Sequence, residues 1–322
     1  MKKKFQGKGS FERKVIYITL LLLLLTVPLL GGCGDKALEQ SGVELMRFGL
    51  TPDVTCLPMV LAEQEGIYEN LGLEVELIYF TSAMERDQAI QAGQIDGAVS
   101  DIVATGFFLD SGFDIQITSL NEGNFALVAS PESGINSVKD LKGKSIGLSN
   151  NTIIEFMVDE ILTKNGLTSE EVRKEYIAAI PQRREMMLQG QIDAACMPEP
   201  LASLCVEQGA LMITDSDKEG ILPSVIIFTE EYIAEKPEAI KKFYQAYREA
   251  ADLINPDPSV YNQLLLEKLR FPEEILDKYE IPHFNEPALP HEEGVQSYLD
   301  WLKGRIEKDL TYDDMINKDF VE

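Results

Sequence analysis

Histidine is almost missing from this chain, with only His283 and His291 among 322 residues. That leaves little material for a His-based metal centre or a Ser-His-Asp triad. Four cysteines are too few for a disulfide scaffold. Basic residues are scarce as well: 29 Lys+Arg stand against 54 Asp+Glu, a net charge of −25. A surface that grips nucleic-acid phosphates needs clustered Lys and Arg, so nucleic acid is excluded as a partner. Gly-rich phosphate loops and zinc-ligand spacings are absent too, and neither a metal nor a cofactor is expected. What the chain does have is 45% hydrophobic and 26% charged residues, the composition of an ordinary globular protein. Its length suits one large domain or two modest ones.

The scarce basic residues are concentrated at the amino end. Lys2, Lys3, Lys4, Lys8, Arg13 and Lys14 precede an uncharged run, Val15 to Leu30, that ends at Leu30-Gly31-Gly32-Cys33. A basic head, a short apolar stretch and small residues before a cut form a secretory signal. About 16 apolar residues fall short of a bilayer span. Residues 1–32 are therefore expected to be a signal peptide. Residues 33–43 read as a polar tether, with Cys33 as the lipidation site. Cleavage would leave 23 basic against 53 acidic residues, a net charge of −30.

From Glu44 onward, strand-like and helix-like segments alternate. Helices are expected at 58–72, 82–92 and 182–189, and another over 230–254; further helical patterns lie near 259–269, 273–279 and 293–308. The pattern predicts an α/β fold with mostly parallel sheets. It also repeats. Gly93-Gln94-Ile95-Asp96 recurs as Gly190-Gln191-Ile192-Asp193, and Phe48-Gly49-Leu50-Thr51 is echoed by Ile146-Gly147-Leu148-Ser149. Two similar lobes in tandem are expected. Residues 44–130 and 224–322 are assigned to the first and 131–223 to the second, joined by a two-strand hinge.

A ligand crevice in such sheets lies beyond the carboxyl ends of the strands. The residues expected there are Thr51, Asp53, Thr55, Ser82, Ser100, Asp101 and Asn121 in the first lobe. In the second they are Ser149, Asn150, Asn151, Thr152 and Glu199. Many of these precede a helix and are equally suited to capping it. Asp101 and Glu199 would favour a cationic or donor-rich solute. Arg86, Arg183 and Arg184 fall inside helices, where a solvated face is expected. Cys56, Cys196 and Cys205 read as small buried residues.

The segment DLKGKSIGLSNNT (140–152), the two GQID strands, the Met197-Pro198-Glu199-Pro200 turn, the closing YDDMINKDF (312–320) and Leu30–Cys33 together resemble a known group. They are similar to the solute-binding lipoproteins of bacterial ABC transporters, in the nitrate, sulfonate and thiamine-pyrimidine-precursor (NMT1/THI5-like) branch. The resemblance implies a type II periplasmic-binding-protein fold and a lipid anchor on the outer face of the cytoplasmic membrane. It also implies Venus-flytrap closure on a small organic solute, with ABC permease and ATPase subunits as partners. That group often has Trp-Glu-Pro where this chain has Met-Pro-Glu-Pro, which removes an aromatic wall and keeps the acid. A nitrogenous heterocycle or amine is favoured over sulfonate or nitrate, because no Arg or Lys stands on the cleft loops. A same-fold enzyme of cofactor-precursor metabolism is the alternative, or a solute sensor without transport. The export signal, and the placement of both histidines away from the cleft loops, argue against catalysis.

Overall fold

The computed structural model describes residues 44–121 and 123–321; the export segment, Cys33 and the tether lie outside them. Ten strands form two five-stranded sheets. They are β1 (Glu44–Leu50), β2 (Leu73–Tyr79), β3 (Gly97–Ser100), β4 (Ile115–Asn121), β5 (Phe125–Ala129), β6 (Ser145–Leu148), β7 (Arg173–Tyr176), β8 (Ala194–Pro198), β9 (Leu211–Asp215) and β10 (Ser224–Thr229). The first sheet runs β2-β1-β3-β10-β4 and the second β7-β6-β8-β5-β9. In each, three strands are parallel and the fourth is antiparallel to both its neighbours.

That fourth strand corrects one expected boundary. Phe125–Ala129 was assigned to the first lobe, yet it pairs with β8 and β9 in the second sheet. The chain therefore enters the second sheet with this strand and not after it near 131. Ala126, Leu127, Val128 and Ala129 are all inaccessible, so the run needs a central position, which β8 and β9 supply on its two sides.

The repeated GQID motif has a structural role in both copies. Gly93 and Gly190 adopt φ of 66° and 69°, left-handed turns that end the preceding helices. Asp96 accepts from the Arg47 backbone N–H at 2.7 Å and from its guanidinium, holding β1 beside β3. Asp193 does the same for β6, accepting from the Ser145 N–H at 2.8 Å and hydroxyl at 2.7 Å. A Cβ at Gly147 in β6 would lie 2.5 Å from Ile192 Cδ1 and 3.1 Å from Arg183 Cγ, so these side chains would have to shift. Gly147→Ala is expected to destabilise by about 1–3 kcal/mol through overpacking, read from the urea midpoint.

Several expected helices are shorter than their hydrophobic pattern. The 58–72 segment splits into Leu57–Gln64 and Ile67–Asn70, because Gly66 takes φ 66° between them. The 230–254 segment breaks at Lys236, the residue before Pro237, leaving Glu230–Glu235 and Pro237–Ile254. Around 273–279 only a single 3-10 turn, Glu273–Ile275, forms.

The long helix Pro237–Ile254 packs Phe243 onto Phe48, Tyr68 and Phe228, closing the core of the first sheet. The helix Glu292–Leu302 packs on Ile102–Asp110, where Leu302 covers Gly106, and also touches the second sheet's helix Ile153–Lys164: Tyr298 stacks on Phe156 at 4.0 Å, and Trp301 meets the same ring edge-on. A polar cluster borders this contact. Lys174 lies 3.0 Å from Glu155 and 2.7 Å from Asp159. Asp159 also accepts from Trp301 Nε1 at 2.9 Å and Arg305 Nη2 at 3.2 Å.

Candidate functional site

The carboxyl ends of parallel strands in both sheets, with the amino ends of the antiparallel β5 and β10, face one cavity of about 280 Å³. Thr51, Asp53, Thr55, Ser100 and Asp101 reach it from the first sheet, and Ser149, Thr152 and Glu199 from the second. A second cavity of about 510 Å³ adjoins it, sharing Ala83, Ser149, Thr152 and Ala178; this one takes Ser82, Asn150 and Asn151. Asn121 stands behind the wall, donating from Nδ2 to Thr55 Oγ1 at 2.9 Å.

Local chain geometry sets each of these side chains. Asp53 precedes a 3-10 turn and accepts from the Thr55 N–H at 2.7 Å and from its hydroxyl. Asp101 caps the helix Ile102–Asp110, accepting from the Ala104 N–H at 2.8 Å. Ser82 and Thr152 cap the helices that follow them. Glu199 accepts from the Ser203 N–H and hydroxyl, both at 3.0 Å. Asn151 holds φ 54°, and its N–H donates to Glu155 Oε2 at 2.9 Å, so the Asn150-Asn151 tip is tied to the polar cluster. Capping thus accounts for one oxygen or hydroxyl of several residues, leaving the rest of each group for a ligand.

The electrostatics are acidic. Burial lifts the carboxyls of Asp53 and Asp101 to about 6; the bonds from Thr55 oppose the first shift and the Arg86 charge opposes the second. Burial also raises Glu199, against the two bonds from Ser203. A carboxylate pushed up by desolvation gains most from a ligand that returns a positive charge or donors. Thr51 Oγ1 and Ser100 Oγ are buried without a partner among the described residues, two more polar atoms with spare capacity.

Arg86 and Arg183 depart from the expected solvated faces: they are 5% and 0% exposed. Arg86 lines the cavity but is neutralised by Asp87 at 2.6 Å, and its Nη1 donates to Val99 O at 3.1 Å. Arg183 donates from Nη1 to Ser149 Oγ at 2.8 Å and to Ile177 O at 3.2 Å, and burial pulls its guanidinium down to about 10. Sequence reasoning also missed Phe125, Tyr279 and Pro282, which give the cavity its apolar side. Tyr279 closes a stretch expected to be helical and Pro282 follows it, far along the chain from the strand-to-helix loops, where no local signal marks a cleft residue. Cys56, Cys196 and Cys205 are buried free thiols.

The NMT1/THI5 like family matches residues 53–260, which include every cavity-lining residue except Thr51, Pro52 and the 279–282 segment. The chain belongs to that family. It is 28% identical over 213 residues to a binding protein of Brucella abortus, covering 62% of this chain and 64% of that relative's length. An ABC transporter periplasmic binding protein of Brachyspira hyodysenteriae is 24% identical over 275 residues, covering 79% and 78%. A 4-amino-5-hydroxymethyl-2-methylpyrimidine phosphate synthase of Schizosaccharomyces pombe is 26% identical over 230 residues, covering 65% of each chain. In three dimensions the chain is similar to the alkanesulfonate-binding protein SsuA of Xanthomonas axonopodis pv. citri, with a TM-score of 0.74 at 17% identity over 85% of this chain and 98% of that one. The two-sheet architecture is therefore the periplasmic-binding-protein fold that the sequence resemblance implied.

Proposed function

We propose that the protein is the exported, lipid-anchored solute-binding component of an ABC importer. It captures a small organic solute between its two sheets, closes on it and presents it to a permease. The observation that carries this reading is the cleft itself: carboxylates from both sheets converge on a cavity of small-molecule size, flanked by Phe125 and Tyr279. A binding protein needs no more than this, whereas a catalyst needs a nucleophile or general base aimed at a reacting atom. Asp53, Asp101 and Glu199 are each held by a neighbouring backbone N–H, with a hydroxyl added at Asp53 and Glu199, the posture of a recognition group. The solute class they favour is a nitrogenous heterocycle or amine, cationic or rich in donors, with Thr51, Thr55, Ser100, Ser149 and Thr152 adding hydrogen bonds. The segment up to Cys33 supports export and anchoring by two acyl chains.

Closure follows from differential contact: the solute stabilises whichever arrangement brings both halves of the wall against it. Native mass spectrometry of the protein as purified is expected to show a retained nitrogenous solute. That solute, added at a hundred times its Kd, should stabilise the fold by about 2.7 kcal/mol. A copurified simple sulfonate or nitrate would overturn the solute class, and turnover of the retained compound would overturn the binding role.

A further inference from the structure

The two cavities divide their chemistry. The first is acidic, with Asp53, Asp101 and Glu199 on its wall. The second, the larger at about 510 Å³, has one charged residue among the described residues that line it, Asp87, and Arg86 neutralises that one at 2.6 Å. Much of the remaining wall is apolar. Met84 comes from the helix Ala83–Gln91, Phe107 from the helix Ile102–Asp110, and Tyr176 from the end of β7 in the second sheet. Met84 and Tyr176 are each 55% exposed, although both side chains are large and apolar. One exposed apolar side chain means little, whereas several on one concave wall mark a surface kept for an apolar occupant. The Tyr176 hydroxyl donates to Glu155 Oε1 at 3.1 Å, so its polar tip is spent and the exposed ring is left for a ligand. Met84 adds a thioether that adapts to an alkyl or aromatic neighbour.

The two chambers are joined. Ala83, Ser149, Thr152 and Ala178 line both, and none of the four is larger than threonine. At about 280 Å³ the first cavity alone stands at the lower edge of small-molecule sites; with the second, the space falls well inside that range. We propose that the second cavity is a tail chamber. It takes the apolar tail of a solute whose cationic or donor-rich head rests on the carboxylates of the first. This rests on the solute-binding reading above and deepens it, from an amine of unspecified shape to an amphiphilic one.

Butylamine, 4-phenylbutylamine and the neutral 4-phenylbutan-1-ol separate head from tail on the full chain, by thermal shift and calorimetry. 4-Phenylbutylamine is expected to bind one per chain, about ten- to a hundredfold more tightly than butylamine. The readout is that ratio within each variant. Ala178→Leu, which narrows the neck, and the double variant Met84→Ala/Tyr176→Ala, which strips the wall, should each cut it to about threefold or less. All three positions are exposed, so these variants leave the core intact. A ratio near one in the wild type, with butylamine bound, overturns the chamber and leaves the acidic head standing. A high ratio that survives both variants puts the tail elsewhere and also overturns the chamber. Equal binding of the amine and the alcohol, lost in both variants, upholds the chamber and overturns the acidic head. Silence from all three probes up to tens of millimolar overturns both.

Discussion

Lys174→Met is expected to destabilise the fold by about 3–5 kcal/mol, the largest effect of any single substitution considered for this chain. Lys174 is the cation between Glu155 and Asp159, whose side chains are only 2% and 9% exposed. Burial on its own would lower the lysine, but its bonds to Asp159 and Glu155 outweigh that and hold it above the ordinary value. Without it, two buried acids share the half-solvated Arg305, which lies 3.9 Å from Glu155. One of them must then take up a proton or draw in water. The loss in urea unfolding should accordingly be smaller at pH 5 than at pH 8. Adding Glu155→Gln should recover part of it, because one of the stranded charges is gone. A loss below 1 kcal/mol at pH 8 would show that the cluster is solvated and that the ion pairs contribute little.

The second expected result separates stability from recognition. Asp101→Asn should stabilise the solute-free protein at neutral pH while weakening a cationic solute about ten- to a hundredfold. Asparagine caps a helix about as well as aspartate, so the bond from Ala104 N–H survives. In the folded state Asp101 titrates near 6, against 3.8 for the free side chain. The folded protein thus holds a proton that the unfolded chain has released. Stability from this group is full below pH 4 and disappears as pH rises through 6. Asparagine has no such loss, so the variant's advantage should grow between pH 4 and 7 and level off on the order of 3 kcal/mol. By the same sign, the wild type should bind a cationic solute more tightly as pH rises through 6. A stability difference that is flat with pH would mean that Asp101 is ionised throughout.

The two-lobe plan was legible because repetition was written into short motifs whose physical roles are the same in both lobes. Asp96 and Asp193 each bridge to a neighbouring strand, and Gly49 and Gly147 each sit where a Cβ would collide with the isoleucine of GQID. Thr51, Asp53, Asp101 and Glu199 were legible as cleft residues because they follow strands directly, where topology alone fixes the address. The strand β5 was misplaced, since a fully buried run carries no mark of which sheet buries it. Arg183 was misread because a charged residue within a helix predicts a solvated face. Only the tertiary fold shows that Gly147 opens room for its stem. Tyr279 and Pro282 follow no strand, so only the tertiary fold brings them to the cleft.

The swapped fourth strands have a consequence for how the chain matures. Every strand of the second sheet lies within one continuous stretch, from Phe125 to Asp215. The first sheet, begun at Glu44, lacks a strand between β3 and β4 until Ser224–Thr229 arrives, more than a hundred residues after β4 ends. As the chain emerges amino end first, the half that starts earlier is completed later. Until then it carries two unpaired strand edges, on β3 and β4, facing a gap. Such edges invite pairing with another chain. Truncation anywhere between 216 and 223 should leave the second sheet able to form and the first open, a product expected to associate with itself.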